Sequence, residues 1–252
     1  MMTRSPENTF NLLDHPIIFI NLLLEKLGLP VVHDFSHAHT LLELLLLPYV
    51  TYTWLIMLLL VVVGALGARR LELVPRGAQN FFEVVISGLE QFMVSVTGEE
   101  GRFLFPLIAT LGFFILTSNY LGMVPGMFAP TSNVNTTAAC ALIVVVFTHV
   151  IGVKFHGVKY VKHFMGPILA LAPLIFVVEI IGHCARVLSL SIRLFGNIFG
   201  EELVLAILMF LAGLYLAPLP IMFLGLFTGG VQAFIFCLLS MMYFAGAMEH
   251  AH

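Results

Sequence analysis

The residues of this chain that can do chemistry are few, and most of them interrupt one apolar stretch. From Ile168 to Leu216 the run is broken by Glu179, His183, Arg186, Ser189, Arg193 and Asn197, and the acidic pair Glu201 and Glu202 follows Gly200. Glu179, Arg186 and Arg193 are seven apart, His183 is four after Glu179, Ser189 is three after Arg186, and Asn197 is four after Arg193. Steps of three, four and seven return to nearly the same helix face. The spacing therefore predicts a narrow polar stripe along an otherwise apolar helix.

A charged side chain at the bilayer centre costs about 2.5–3.5 kcal/mol on insertion scales. Arginine cannot avoid that cost by losing its proton, because its pKa lies above about 12. Both arginines must then face water, an anion or a carboxylate. Glu179 is spaced to neutralise Arg186 in part, with His183 between them. For Arg186, snorkelling or contact between helices is the competing reading. Arg193 is flanked by Leu190, Ile192, Leu194 and Phe195, and Gly196 and Gly200 leave room for a close neighbour. Glu202 lies nine residues past Arg193, on the opposite side of a helix, so the two are not expected to pair. Nothing in the chain is well placed to neutralise Arg193.

The elements that must carry these residues follow from composition. Of 252 residues, 60% are hydrophobic and 10% charged, against about 25% charged in ordinary soluble domains. Lipid must cover much of such a chain, and long continuous apolar runs favour helices over the alternating strands of a barrel. The expected fold is an all-α integral membrane protein of about five to six helices. Residues 1–43 form an N-terminal segment in which Ile17 to Leu24 is too short to span, and its polar start argues against a cleaved signal peptide. The first span is 44–68, with Tyr49, Tyr52 and Trp54 near its start and Arg69, Arg70 and Arg76 after its end. By the positive-inside rule that end is cytoplasmic and the N-terminus extracytoplasmic. Over 75–97, Phe82, Val85, Ile86, Leu89, Phe92, Met93 and Val96 recur at helical spacing, which predicts an amphipathic helix along the interface. A helical pair covers 103–153 and returns to a loop bearing Lys154, Lys159 and Lys162. Pro218 and Pro220 mark a break before the last apolar segment, which carries Gln232.

Several function classes find no support. The net charge of −3 argues against a nucleic-acid partner. Cys140, Cys184 and Cys237 lie far apart and read as small buried hydrophobes. His33, His37 and His39 read as solvated residues rather than metal ligands, so no metal or cofactor is expected. No nucleophile or metalloprotease motif suggests an enzyme. Asn119, Asn133 and Asn135 read either as turn formers or as lining of a water path.

The segment "SLSIRLFGNIFGEEL" from Ser189 to Leu203 resembles the arginine-bearing motif of subunit a of F-type ATP synthases. "VQAFIFCLLSMMYFAGAMEHAH" is similar to that family's C-terminal segment, and "TSNYLGMVPGMFAPTSNVNTT" to its outer loop. The resemblance covers most of the chain from Leu44. It implies that 167–247 form a long tilted helical hairpin facing a ring of c subunits. It implies that Arg193 is the family's essential arginine, Gln232 the glutamine opposite it, and Glu202 the acidic position nine residues on. Glu179 matches an acidic position on the same helix and Asn197 the motif asparagine. One departure stands out: relatives often carry His or Glu seven before the glutamine, where this chain has Gly225, and Glu201 is expected to restore that group.

The implied role is the non-catalytic stator subunit of a rotary ATP synthase in the bacterial inner membrane, with a cytoplasmic C-terminus. Its implied partners are the c-ring, the peripheral stalk subunit b and, indirectly, the remaining subunits. Glu202, Glu201, Glu179 and His183 are expected to serve two offset half-channels. The competing reading is a stand-alone transporter or channel using the Glu179–Arg193 stripe.

Overall fold

A computed structural model describes residues 26, 47–67, 77–124, 127–157, 160, 172–212 and 218–249. The N-terminal segment apart from residue 26, the arginines at 69, 70 and 76, the lysines at 159 and 162, and the histidines at 33, 37, 39, 250 and 252 lie outside the described residues. Six α-helices are present among those described: α1 (Pro48–Gly67), α2 (Ala78–Thr97), α3 (Phe105–Gly122), α4 (Val134–His156), α5 (Ala172–Ala212) and α6 (Pro218–Met248). Short 3₁₀ turns at Glu99–Leu104 and Pro130–Ser132 precede α3 and α4. No strand occurs among the described residues, and five helical stretches are long and apolar enough to cross a membrane. The chain is an all-α, multi-pass membrane protein, as its composition requires.

Local chemistry sets the helix ends. Asn133 caps α4, its side-chain oxygen accepting the Asn135 N–H at 2.9 Å, which satisfies one of the orphan donors of the first turn. Gly98 and Gly157 end α2 and α4 at φ values of 74° and 56°, a left-handed conformation that costs glycine little. Proline opens α6 at a position where its missing N–H is harmless.

α6 is the centre of the packing and touches α2, α3, α4 and α5. Its buried Phe236, Met241 and Phe244 join Ile108 and Ile115 of α3, Val144 and Ile151 of α4, and Leu190 and Leu194 of α5 in one core. α2 turns Met93 fully inward, packs Phe92 against Phe234 of α6 at 5.3 Å, and leaves Glu83 and Gln91 outside. It is not among the helices long and apolar enough to cross a membrane.

Helix length bears on the posture of α5. Its 41 residues extend about 60 Å at 1.5 Å per residue, roughly twice the hydrocarbon thickness of about 30 Å. Its apolar stretches lie on both sides of the polar residues, so an inclined posture would keep more of that surface in lipid or against a partner.

Candidate functional site

α5 places its polar residues in three groups. Leu190, Leu194 and Ile198 are buried, and the Ser191 and Thr137 hydroxyls meet at 3.1 Å, so this face is committed to α4 and its neighbours. Ser189 and Arg193 are exposed on another face, and Asn197 is half-buried. A Cβ added at Gly196 or Gly200 would meet open space. No ion pair reaches Arg193 among the described residues. Gln232, by contrast, is buried at 7% exposure on α6.

At the C-terminal side of Arg193, the two acids reach different elements. The Glu202 carboxylate accepts the Ala129 backbone N–H at 3.3 Å, from the turn before α4. The Glu201 carboxylate accepts the Thr228 hydroxyl at 3.2 Å, on α6. Its other oxygen fills the space above Gly225, where any Cβ would overlap it. Together with Asn119, Gly122 and Met123 these acids line a small cavity between α3, α5 and α6. Asn119 is buried at 3% exposure; its amide donates to the Gly229 carbonyl at 3.0 Å and accepts the Thr131 hydroxyl at 2.8 Å. It braces the cavity wall while contributing to its lining.

At the N-terminal side, Glu179 lies 3.4 Å from His183 Nε2, an ion pair whenever the imidazole is protonated. The His183 ring meets that of His149 on α4 edge to face, centroids 4.5 Å apart. Arg186 lies over the Tyr243 ring of α6 at 5.4 Å, a cation–π contact.

These placements revise the stripe in two respects. It does not stay on one surface: its first turns are drawn against α4 and α6, whereas Ser189 and Arg193 face outward. The partner of Glu179 is His183, one turn away, rather than Arg186, which instead rests on an aromatic face. Cys140 and Cys237 are buried, but Cys184 lies on the surface. Asn133 forms a cap. Sequence reasoning passed over His149, Tyr160, Thr131, Thr228 and Tyr243. His149 carried a signal, since a titratable residue inside an apolar span is a functional candidate by default.

The fold and the site define an integral membrane protein that holds two titratable clusters along one long helix, with an exposed arginine between them. Residues 50–245 match the family described as ATP synthase A chain. The chain is 73% identical over 240 residues to "ATP synthase subunit a" of Syntrophobacter fumaroxidans, covering 95% of this chain and 100% of that protein. It is 58% identical over 241 residues to "ATP synthase subunit a" of Desulfosudis oleivorans, with 95% and 100% covered. It is 55% identical over 203 residues to "ATP synthase subunit a 1" of Pelobacter propionicus, with 81% and 88% covered. The chain belongs to the ATP synthase A chain family.

Proposed function

We propose that protons cross this protein through two offset half-channels, one served by Glu202 and Glu201 and the other by Glu179 and His183, with Arg193 between them facing a c-ring carboxylate. As a subunit a, the chain is the stator part of the rotary ATP synthase and couples transmembrane proton flow to ring rotation and ATP synthesis. Its neighbours are the c-ring and other synthase subunits, and the peripheral stalk subunit b holds it against rotation. Membership in this family replaces the stand-alone transporter reading.

The observation that carries the proposal is the separation of the clusters. Glu179 and Glu202 are 23 residues apart on one continuous helix, about 35 Å along its axis. Arg193 is exposed between them, without a carboxylate partner among the described residues. A ring carboxylate is neutral while it faces lipid, because ionisation there is expensive. Opposite Arg193 its charged form is favoured, so its proton leaves into one half-channel. Arg193 cannot pass a proton on, which blocks a direct leak. A proton entering the other half-channel completes its crossing only by riding the ring, and each charge gains about 2.3 kcal/mol per 100 mV.

Orientation follows the basic residues. α4 ends at Lys154 and His156, and His156 Nε2 lies 3.2 Å from the Glu249 carbonyl after α6. The C-terminal end of α6 thus shares the side of the basic loop. That supports a cytoplasmic C-terminus in the bacterial inner membrane, with the Glu179 cluster as the cytoplasmic half-channel and the Glu202 cluster as the outer one.

Arg193→Ala is the decisive variant. It should abolish coupled ATP synthesis in inverted vesicles while the complex still assembles. Normal ATP-driven pumping by that variant would sink the proposal.

A further inference from the structure

Two groups beyond those named for the half-channels extend the Glu179 cluster. His149 of α4 touches the His183 ring, and its Nδ1 lies 2.9 Å from the Tyr160 hydroxyl. Tyr160 is seated by Gly152, three residues after His149, where any Cβ would overlap the phenol ring. Glu179, His183, His149 and Tyr160 thus stand in a row joined by an ion pair, a ring contact and a hydrogen bond. The row crosses from α5 to α4 and ends in the segment beyond α4.

The residue types suit a row that moves protons. An imidazole accepts at one nitrogen and releases from the other. Its ordinary pKa near 6.5 makes it the side chain that changes charge near neutrality. One histidine between helices is readily explained as packing, but two in ring contact, with a carboxylate at one end and a phenol at the other, form a chain of exchangeable sites. Burial, then the nearby Glu179 charge, pushes the Tyr160 phenol above its ordinary pKa, so it stays protonated and serves as a hydrogen-bonding bridge. Among the described residues, the other charged group facing the row is Arg186, held over Tyr243 of α6. Lys154, further along α4, is turned away over the Phe103 ring at 3.8 Å.

We infer that Glu179, His183, His149 and Tyr160 form the proton relay of the cytoplasmic half-channel, with His149 carrying the proton between the helices. This rests on the reading of the Glu179 cluster as a half-channel. A proton on the Glu179 carboxyl passes to one nitrogen of neutral His183 and leaves the carboxylate ionised. His183 releases its other proton to His149, and His149 passes one through the Tyr160 hydroxyl to water. Each imidazole is neutral again after the transfer, so one N–H or O–H bond forms for each that breaks.

The test uses the intact synthase in liposomes for ATP-driven pumping and vesicles stripped of the catalytic sector for passive proton flux. His149→Ala should lower passive flux at least about tenfold, alter its pH profile, and be restored by free imidazole in the buffer. His149→Gln keeps the side chain's bulk and a hydrogen bond toward Tyr160 and should lose flux as well. Gly152→Ala, which unseats Tyr160, should give a smaller loss that imidazole does not restore. Wild-type flux and pH profile in His149→Gln overturn the relay, as does a loss in His149→Ala that imidazole leaves unchanged. Glu179→Gln separates the two levels. If it lowers flux while the His149 variants do not, the half-channel stands without the relay; if it too keeps wild-type flux, the half-channel reading falls.

Discussion

At one end of α5, Glu202 and Glu201 rest on a backbone N–H and a threonine hydroxyl supplied by other elements, and Gly225 yields its space to a carboxylate. At the other end, Glu179 faces a histidine one turn along the same helix, which in turn meets a second histidine. Fixed donors keep the same sign at every pH. A histidine partner attracts the acid only while it carries a proton. Two ends of one helix therefore hold acids in different ways: packing and fixed dipoles surround Glu202 and Glu201, and a partner whose charge depends on its protonation faces Glu179. Variants should separate the two. Changes at the Glu202 end should scale the rate across pH, and changes at the Glu179 end should reshape its pH dependence.

The largest effect is expected at Glu202, which reaches the turn before α4 and lines the cavity. Glu202→Gln preserves size and the Ala129 contact but cannot exchange a proton, so passive flux should fall by about a hundredfold or more. Flux should be low at all pH values tested. A Glu202→Gln synthase that pumps normally would remove the outer half-channel from the comparison.

An exchange between Glu201 and Gly225 comes next. Glu201→Gly should lower flux about tenfold, and adding Gly225→Glu to it should restore most of the loss, because both side chains deliver a carboxyl to the same space. Gly225→Ala alone should also lower flux, since its Cβ displaces the Glu201 carboxylate. Equal flux in Glu201→Gly and wild type, with Glu202→Ala inactive, would show that the acid over Gly225 is not used.

The two regions also differ in how legible they were. Arg193, Glu201, Glu202 and the all-helical fold stand out in sequence because charge inside apolar runs is costly and therefore conspicuous. The long apolar run of α5 is equally readable, whereas its inclination was expected only from the resemblance. The link between Glu201 and Gly225 came from the resemblance, and geometry then put the carboxylate over the glycine. The His149–Tyr160 pair was not legible. It joins α4 to a segment eleven residues on, and no helical periodicity connects it to Glu179. Thr131 and Thr228 were hidden for a related reason: a hydroxyl near an apolar run reads as a helix back-bond until a partner from another element is seen. The division of the stripe likewise depends on how α4 and α6 pack, which spacing along α5 alone does not encode.

Asn119 offers the smallest and most discriminating effect, because it lines the cavity of Glu201 and Glu202 yet is bonded like a structural brace. Its amide joins α3 to the Gly229 carbonyl of α6 and to Thr131 in the turn before α4. Thr131 is fully buried, so Asn119→Ala leaves its hydroxyl without that partner, at a cost of about 1–3 kcal/mol. The expected outcome is a purified synthase that releases subunit a at lower temperature, with passive flux reduced only a few-fold and the pH profile kept. The reasoning is that the carboxylates survive the substitution while the frame around them loosens. If Asn119→Ala instead stopped flux as fully as Glu202→Gln without lowering the release temperature, the amide would belong to the water path itself. The Glu202 end would then depend on a hydrogen-bonded chain, as is proposed for the Glu179 end.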